Sequence, residues 1–137
     1  MKTRPISEIM TKQVHYIDIN DPVINARNLM DKYEIHHLPV MESGKLVGML
    51  SSNDIKQVQY LCDFIGERLE ESTVFKSLSI EELMTEKVQS LTTNATTVEA
   101  AQVFSNVSFQ SLPILENDEL VGIVTTKDIF TAFLTEN

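Results

Sequence analysis

Two apolar runs, HLPVME (37–42) and KLVGML (45–50), flank Ser43-Gly44, a spacing that predicts a β-hairpin closed by a two-residue turn. Ahead of them, Val23, Ala26, Leu29, Met30 and Tyr33 recur at helical spacing. Asp21-Pro22 supplies that helix with a start, Asp as the cap and Pro at the first helical position. Earlier still, VHYI (14–17) alternates like a half-buried strand, and Ile6–Met10 reads as a short helical turn. After the hairpin, Ile55, Val58, Leu61, Cys62, Ile65 and Leu69 are expected on one face of a further helix. The order is strand, helix, strand, strand, helix.

The same order is written twice. Sliding the chain by 74 aligns Ile6–Ile55 with Ile80–Ile129 without an insertion, and fifteen of those fifty positions are identical. Met10/Met84, Thr11/Thr85, Ala26/Ala100 and Leu38-Pro39/Leu112-Pro113 are among them, and most other apolar positions stay apolar. GMLSSNDI (48–55) returns as GIVTTKDI (122–129), and Asn117-Asp118 takes the place of the Ser43-Gly44 turn. A missed repeat mis-assigns a fold, so this duplication governs the reading. It divides the chain into residues 1–73, with a long connecting helix, and residues 74–137. One unit of this size buries little surface by itself, so the two are expected to pack face to face.

Composition narrows the function classes. The 137 residues are 42% hydrophobic, enough for a core without metal or disulfide staples, and the single cysteine, Cys62, allows no intrachain bridge. Twenty acidic against eleven basic residues give a net charge of −9, which repels a nucleic-acid backbone. The start, MKTRPISEIM, lacks the apolar segment of a signal peptide, and no stretch has the length of a membrane span. The expectation is a soluble, cytoplasmic protein with no nucleic-acid or membrane partner.

The repeated phrase carries two chemistries. Ser51-x-x-Asp54 and Thr125-x-x-Asp128 are capping boxes, in which a hydroxyl and an acid each satisfy a backbone N–H at a helix start. The same place is suited to a ligand. Unpaired N–H groups at a helix start seat a phosphate, the hydroxyl donates to it, and a carboxylate one turn on accepts from ribose hydroxyls.

The EIMT/ELMT openings, the two LP[VI] strand starts and the two G-h-h-[ST]-[ST]-x-D-I segments, all in register, resemble a tandem pair of CBS domains, the module named after cystathionine β-synthase. The resemblance covers nearly the whole chain. It implies an α/β (α+β) fold of two β-α-β-β-α repeats in a pseudo-twofold, Bateman-type module, a stand-alone CBS-domain protein that forms a homodimer. It also implies clefts that take an adenine nucleotide or adenosyl ligand: AMP, ADP, ATP or S-adenosylmethionine. Carried onto this chain, the second-copy site comprises Thr125, Asp128, Lys127 and Ser90, with the purine against Leu91, Ser111, Leu112 and Pro113. The first-copy counterparts are Ser51, Asp54, Tyr16, Ile17, His37, Leu38 and Pro39. Ser90 fits the small hydroxyl residue usual in the family and Tyr16 departs from it; Glu99-Ala100 keeps a family pair where the first copy has Asn25-Ala26. The second copy is therefore the better site.

Cations are few: Lys127 and Lys56 near the helix starts and Arg27 on the first long helix. A triphosphate would need Mg²⁺ or these residues to offset repulsion, which ranks AMP and ADP ahead of ATP. No cofactor is required. His36-His37 point to opposite sides of a strand and do not chelate one ion, and no catalytic motif is present. The sequence reading is a regulatory sensor, not an enzyme, that binds an adenosine-containing small molecule and signals to an unidentified effector protein. The alternative is a ligand-free dimerisation module with vestigial pockets.

Overall fold

The structure, a computed structural model, describes residues 2–65 and 70–135. Leu69, expected on a helical stripe, lies outside them. The chain forms two compact units, one made of Met1–Val14 with Gln89–Asn137 and the other of His15–Val88.

The His15–Val88 unit holds a three-stranded sheet in the order β1 (Ile17–Asp18), β2 (His37–Glu42), β3 (Lys45–Ser51). β1 runs parallel to β2, and α1 (Val23–Tyr33) connects them; β2 and β3 form the expected antiparallel hairpin. Its turn residues Ser43 and Gly44 both take positive φ, 51° and 79°, as the tight twist-matching turn requires. α2 (Ser52–Ile65), α3 (Glu71–Ser77) and the single turn α4 (Ile80–Leu83) follow. Ile17, Ala26, Leu38, Val40, Leu50 and Ile55 centre the core.

The other unit repeats the plan: β4 (Leu91–Thr92), α5 (Thr97–Asn106), β5 (Ser111–Glu116), β6 (Glu119–Thr125) and α6 (Thr126–Leu134). Asn117 and Asp118 turn its hairpin with φ of 51° and 64°. Ile6, Ala100, Leu112, Ile114, Val124 and Ile129 form its core, and Ile6 comes from a 3-10 turn at Ile6–Glu8. The mixed α/β fold expected from the repeats is thus present in both halves.

Three local expectations need correction. The first strand spans only Ile17–Asp18, because only these residues pair with β2. The α1 helix starts one residue late: Pro22 is the cap position, without a side-chain hydrogen bond, and the Asp21 carboxylate accepts from the Asp18 N–H at 3.0 Å instead. Thr96, the counterpart of Pro22, does cap its helix, through a box with Glu99. On α2, Ile55, Val58 and Cys62 are buried but Leu61 and Ile65 are half exposed. At about 100° per residue Leu61 falls about 60° beyond Val58, off the buried line, whereas Ile65 is the last residue of the helix.

The repeated methionine and glycine meet in space. A Cβ on Gly122 would collide with the Met10 sulfur, and a Cβ on Gly48 would collide with the Met84 sulfur and crowd the Thr85 carbonyl. The neighbouring threonines each bridge one residue on the β6 and β3 edges. Thr11 exchanges N–H···O bonds of 2.9 and 3.0 Å with Ile123 on β6, and Thr85 exchanges bonds of 2.9 and 3.0 Å with Met49 on β3. Gly48→Ala is expected to destabilise by about 1–3 kcal/mol in urea unfolding, as small-to-large changes in packed sites do. Gly122→Ala should cost less, because the three atoms nearest its Cβ all belong to the flexible Met10 side chain, and Met10→Ala should relieve that cost.

Candidate functional site

The strand-to-helix joints are built as the sequence predicts. Thr125 Oγ1 accepts from the Asp128 N–H at 3.2 Å, and Asp128 Oδ2 accepts from the Thr125 N–H at 2.8 Å. Ser51 and Asp54 make the same two bonds at 3.2 and 2.8 Å. The next amide is also taken: the Thr126 N–H donates to the Gln110 carbonyl at 3.0 Å, and the Ser52 N–H to the His36 carbonyl at 2.7 Å. Of the first N–H groups expected to be unpaired for a phosphate seat, these helix starts leave only those of Lys127 and Asn53. The carbonyls that take the second amide carry no side-chain signal, which is why the sequence did not reveal them.

Register decides which residues share the joint. Ser111 lies opposite Thr125 across the β5–β6 hairpin, and Pro113 lies opposite Ile123. Directly opposed residues project on one side of a sheet, so Ser111, Pro113, Ile123 and Thr125 share a face. Leu112 alternates onto the other face, fully buried in the core with Ile114 and Val124. Leu91 on β4 is half-buried against that same core, Ser90 precedes it half-buried, and Lys127 is exposed on the first turn of α6. The structure thus groups Ser111 and Pro113 with the Thr125/Asp128 box and sets Leu112 apart from them.

Ser111 is the anomaly. It is 4% exposed, and its hydroxyl is buried without a hydrogen-bond partner. An orphaned buried hydroxyl costs roughly 1–3 kcal/mol of lost hydration unless a water or ligand supplies the partner. Asp128 also keeps capacity, since the cap uses Oδ2 and leaves Oδ1 to accept.

The first copy is arranged alike and furnished differently. His37 takes the place of Ser111, opposite Ser51, with Pro39 and Met49 on the same face. Ile17 and Leu38 are buried in the core cluster, while Tyr16 is 57% exposed. The half-buried His37 imidazole titrates below its ordinary range. Burial strips solvent from its charged form, the charge of His36 adds repulsion, and Asp54 opposes both. Lys56 is exposed, but Arg27 pairs with Glu71 and lies 5.1 Å over the Phe75 ring, so it is committed within its own unit. A groove of about 630 Å³ in this unit is lined by residues including Asp21, Glu42, Phe75, Lys76 and Glu81, and it shares none with the joint.

The CBS domain of the family models matches the chain twice, over residues 6–60 and 80–135. The chain belongs to the CBS-domain family. It is 27% identical over 124 residues to the CBS domain-containing protein YhcV of Bacillus subtilis, covering 90% of this chain and 81% of that one. It is also 29% identical over 126 residues to a homoserine O-acetyltransferase of Methanohalobium evestigatum, covering 90% of this chain but spanning only 23% of that enzyme. Among solved structures it is similar to the CBS domain pair of protein MJ0100 in complex with 5′-methylthioadenosine and S-adenosyl-L-methionine. That likeness has a TM-score of 0.81 at 25% identity and covers 99% of this chain and 100% of the other.

His37 makes stability depend on pH with a definite sign. Its folded value lies below the free value of about 6.5, so the stability it contributes is present above that pH. That contribution is lost as the pH falls through 6.5 toward the depressed folded value. Urea midpoints measured from about pH 7.5 down to 5 should therefore fall less steeply in His37→Gln than in the parent.

Proposed function

We propose that this protein is a regulatory module that binds an adenosine-containing ligand at the Thr125/Asp128 joint and communicates occupancy to an effector protein. The observation that carries the reading is the buried, unpartnered Ser111 hydroxyl, which register places on the same face as the Thr125 cap. Thr125 and Ser111 offer hydroxyls, and Asp128 Oδ1 accepts from a ribose diol. Ser90 and Lys127, with Leu91 and Pro113, complete the proposed surroundings, and Leu112 supports them from the core side. The similar MJ0100 domain pair, with its two adenosyl ligands, supports the same chemistry. Ser51, Asp54, His37, Pro39, Tyr16, Ile17 and Leu38 form the weaker counterpart, where an imidazole stands in place of the free hydroxyl.

A second feature favours self-association. On α2, Phe64 is 88% exposed and Tyr60, Leu61 and Ile65 are at least half exposed; on α6, Phe130, Phe133 and Leu134 are likewise open. Large apolar side chains collected on a helix face mark an interaction surface, and a homodimer would cover them. Sedimentation velocity should show a dimer that Phe64→Ser weakens; a monomer at all concentrations would contradict this reading.

Ser111→Ala separates a binding role from a structural one. Removing an orphaned hydroxyl should leave the unfolding midpoint unchanged or slightly raised, while calorimetry with adenosine ligands shows affinity lower by about tenfold. Absence of heat with adenosine, AMP, ATP and S-adenosylmethionine alike, at millimolar ligand, would end the binding reading.

A further inference from the structure

We infer that the groove in the His15–Val88 unit docks a basic segment of the effector protein, one in which lysine or arginine alternates with apolar residues. The inference deepens the effector half of the reading above and makes no use of its adenosine half, since the groove shares no residue with either strand-to-helix joint. It is built where the loop after β1, the end of β2, α3 and α4 come together. Ile19 and Leu78 are half-buried and pack against the core, so they supply apolar surface held in place. The Asp21, Glu42 and Glu81 carboxylates join them against a single ammonium, Lys76, which leaves negative charge in excess.

That charge is uncommitted. Among the described residues the ion pairs are Arg4–Glu8 and Arg27–Glu71, and neither Glu42 nor Glu81 takes part in one. Lys45, opposite Glu42 across the hairpin turn, does not pair with it. Asp21 spends Oδ2 on the Asp18 N–H and keeps Oδ1 to accept. Nor does the fold demand these acids: 74 residues away, in the other repeat, Ala95 stands for Asp21 and Ser7 for Glu81, and only Glu116 matches Glu42. Two observations choose the occupant. No three His, Cys, Asp or Glu side chains among the described residues are placed to hold a metal ion, so the charge is spread along the groove rather than focused on a point. Its volume of about 630 Å³ is that of a small-molecule site, but Asn20, Pro22, Glu42, Lys76 and Glu81 are all exposed, so it does not enclose a ligand as such sites do. An open groove with spread charge beside apolar surface matches a chain that carries its cations a residue or two apart, with apolar side chains between them.

The test is an NMR titration of the full chain's amide shifts with a capped KLKLK peptide, with QLQLQ and KSKSK as controls. Shifts should gather at Ile19, Asn20, Asp21, Leu78 and Ser79, and both controls should bind more weakly, one for want of charge and the other of apolar surface. Glu42→Gln/Glu81→Gln should weaken KLKLK binding at least about threefold, as loss of two exposed ion pairs does, and added salt should weaken it further. Glu116→Gln/Asp118→Asn removes the same charge from the turn of the other hairpin and should leave the affinity unchanged; circular dichroism checks that both variants fold. The inference is overturned by no shift at millimolar peptide, by shifts scattered over the surface, or by a control peptide that binds as well as KLKLK. It is equally overturned if the two pairs of substitutions act alike, or if spermidine or Mg²⁺ moves the same amides at equal concentration. Any of these leaves the adenosine reading of the Thr125/Asp128 joint standing, to be decided by its own calorimetry.

Discussion

A reciprocal pair of hydrogen bonds, in which a hydroxyl and a carboxylate three residues apart each accept from the other residue's backbone N–H, fixes the point where each hairpin becomes a helix. It holds Thr125 extended, with φ −115° and ψ 164°, while the next residue enters α6. The helix start needs partners for its first amides, and the box supplies two of them from within the chain. Two consequences follow for chemistry. Three of the first amides are consumed, those of Thr125, Thr126 and Asp128, and the acid that consumes one is pinned with its second oxygen free. The cap therefore shapes the joint as much as it stabilises the fold.

The duplication has a second physical meaning in the Met–Gly contacts. Met10, written in the first repeat, seats on Gly122 of the second, and Met84 seats on Gly48. The threonine after each methionine pairs with the edge of the sheet it reaches, at Ile123 and Met49. Each repeat's opening motif thus completes the sheet that ends in the other repeat's phrase. This accounts for the recurrence of glycine as the first letter of that phrase, since any side chain there would displace the methionine.

Much of this was legible in the residues themselves. The hairpins, their turns and the capping boxes follow from local patterns whose partners lie within a few positions, such as Ser43-Gly44 and Thr125-x-x-Asp128. What local pattern could not give was tertiary. The Pro22 helix start was shifted because Asp21 found a strand amide to bind, a choice made by β1 rather than by the helix. Leu61 and Ile65 were expected on the buried face of α2, but helical phase carries Leu61 off the core line and Ile65 ends the helix. In the site, the grouping of Ser111 with Thr125 and the separation of Leu112 needed strand register. The loss of the Thr126 amide to Gln110 is a backbone event that no residue type announces.

The central claim is that Ser111, Thr125 and Asp128 form one ligand site whose buried hydroxyl waits for a partner. A crystal structure of the protein grown with 5′-methylthioadenosine tests it most directly. The account predicts the ribose hydroxyls on Asp128 Oδ1 and a ligand or ligand-bound water atom within hydrogen-bond distance of Ser111 Oγ. A ligand seated elsewhere, with Ser111 Oγ still unpartnered and the Asp128 carboxylate facing only solvent, would contradict it.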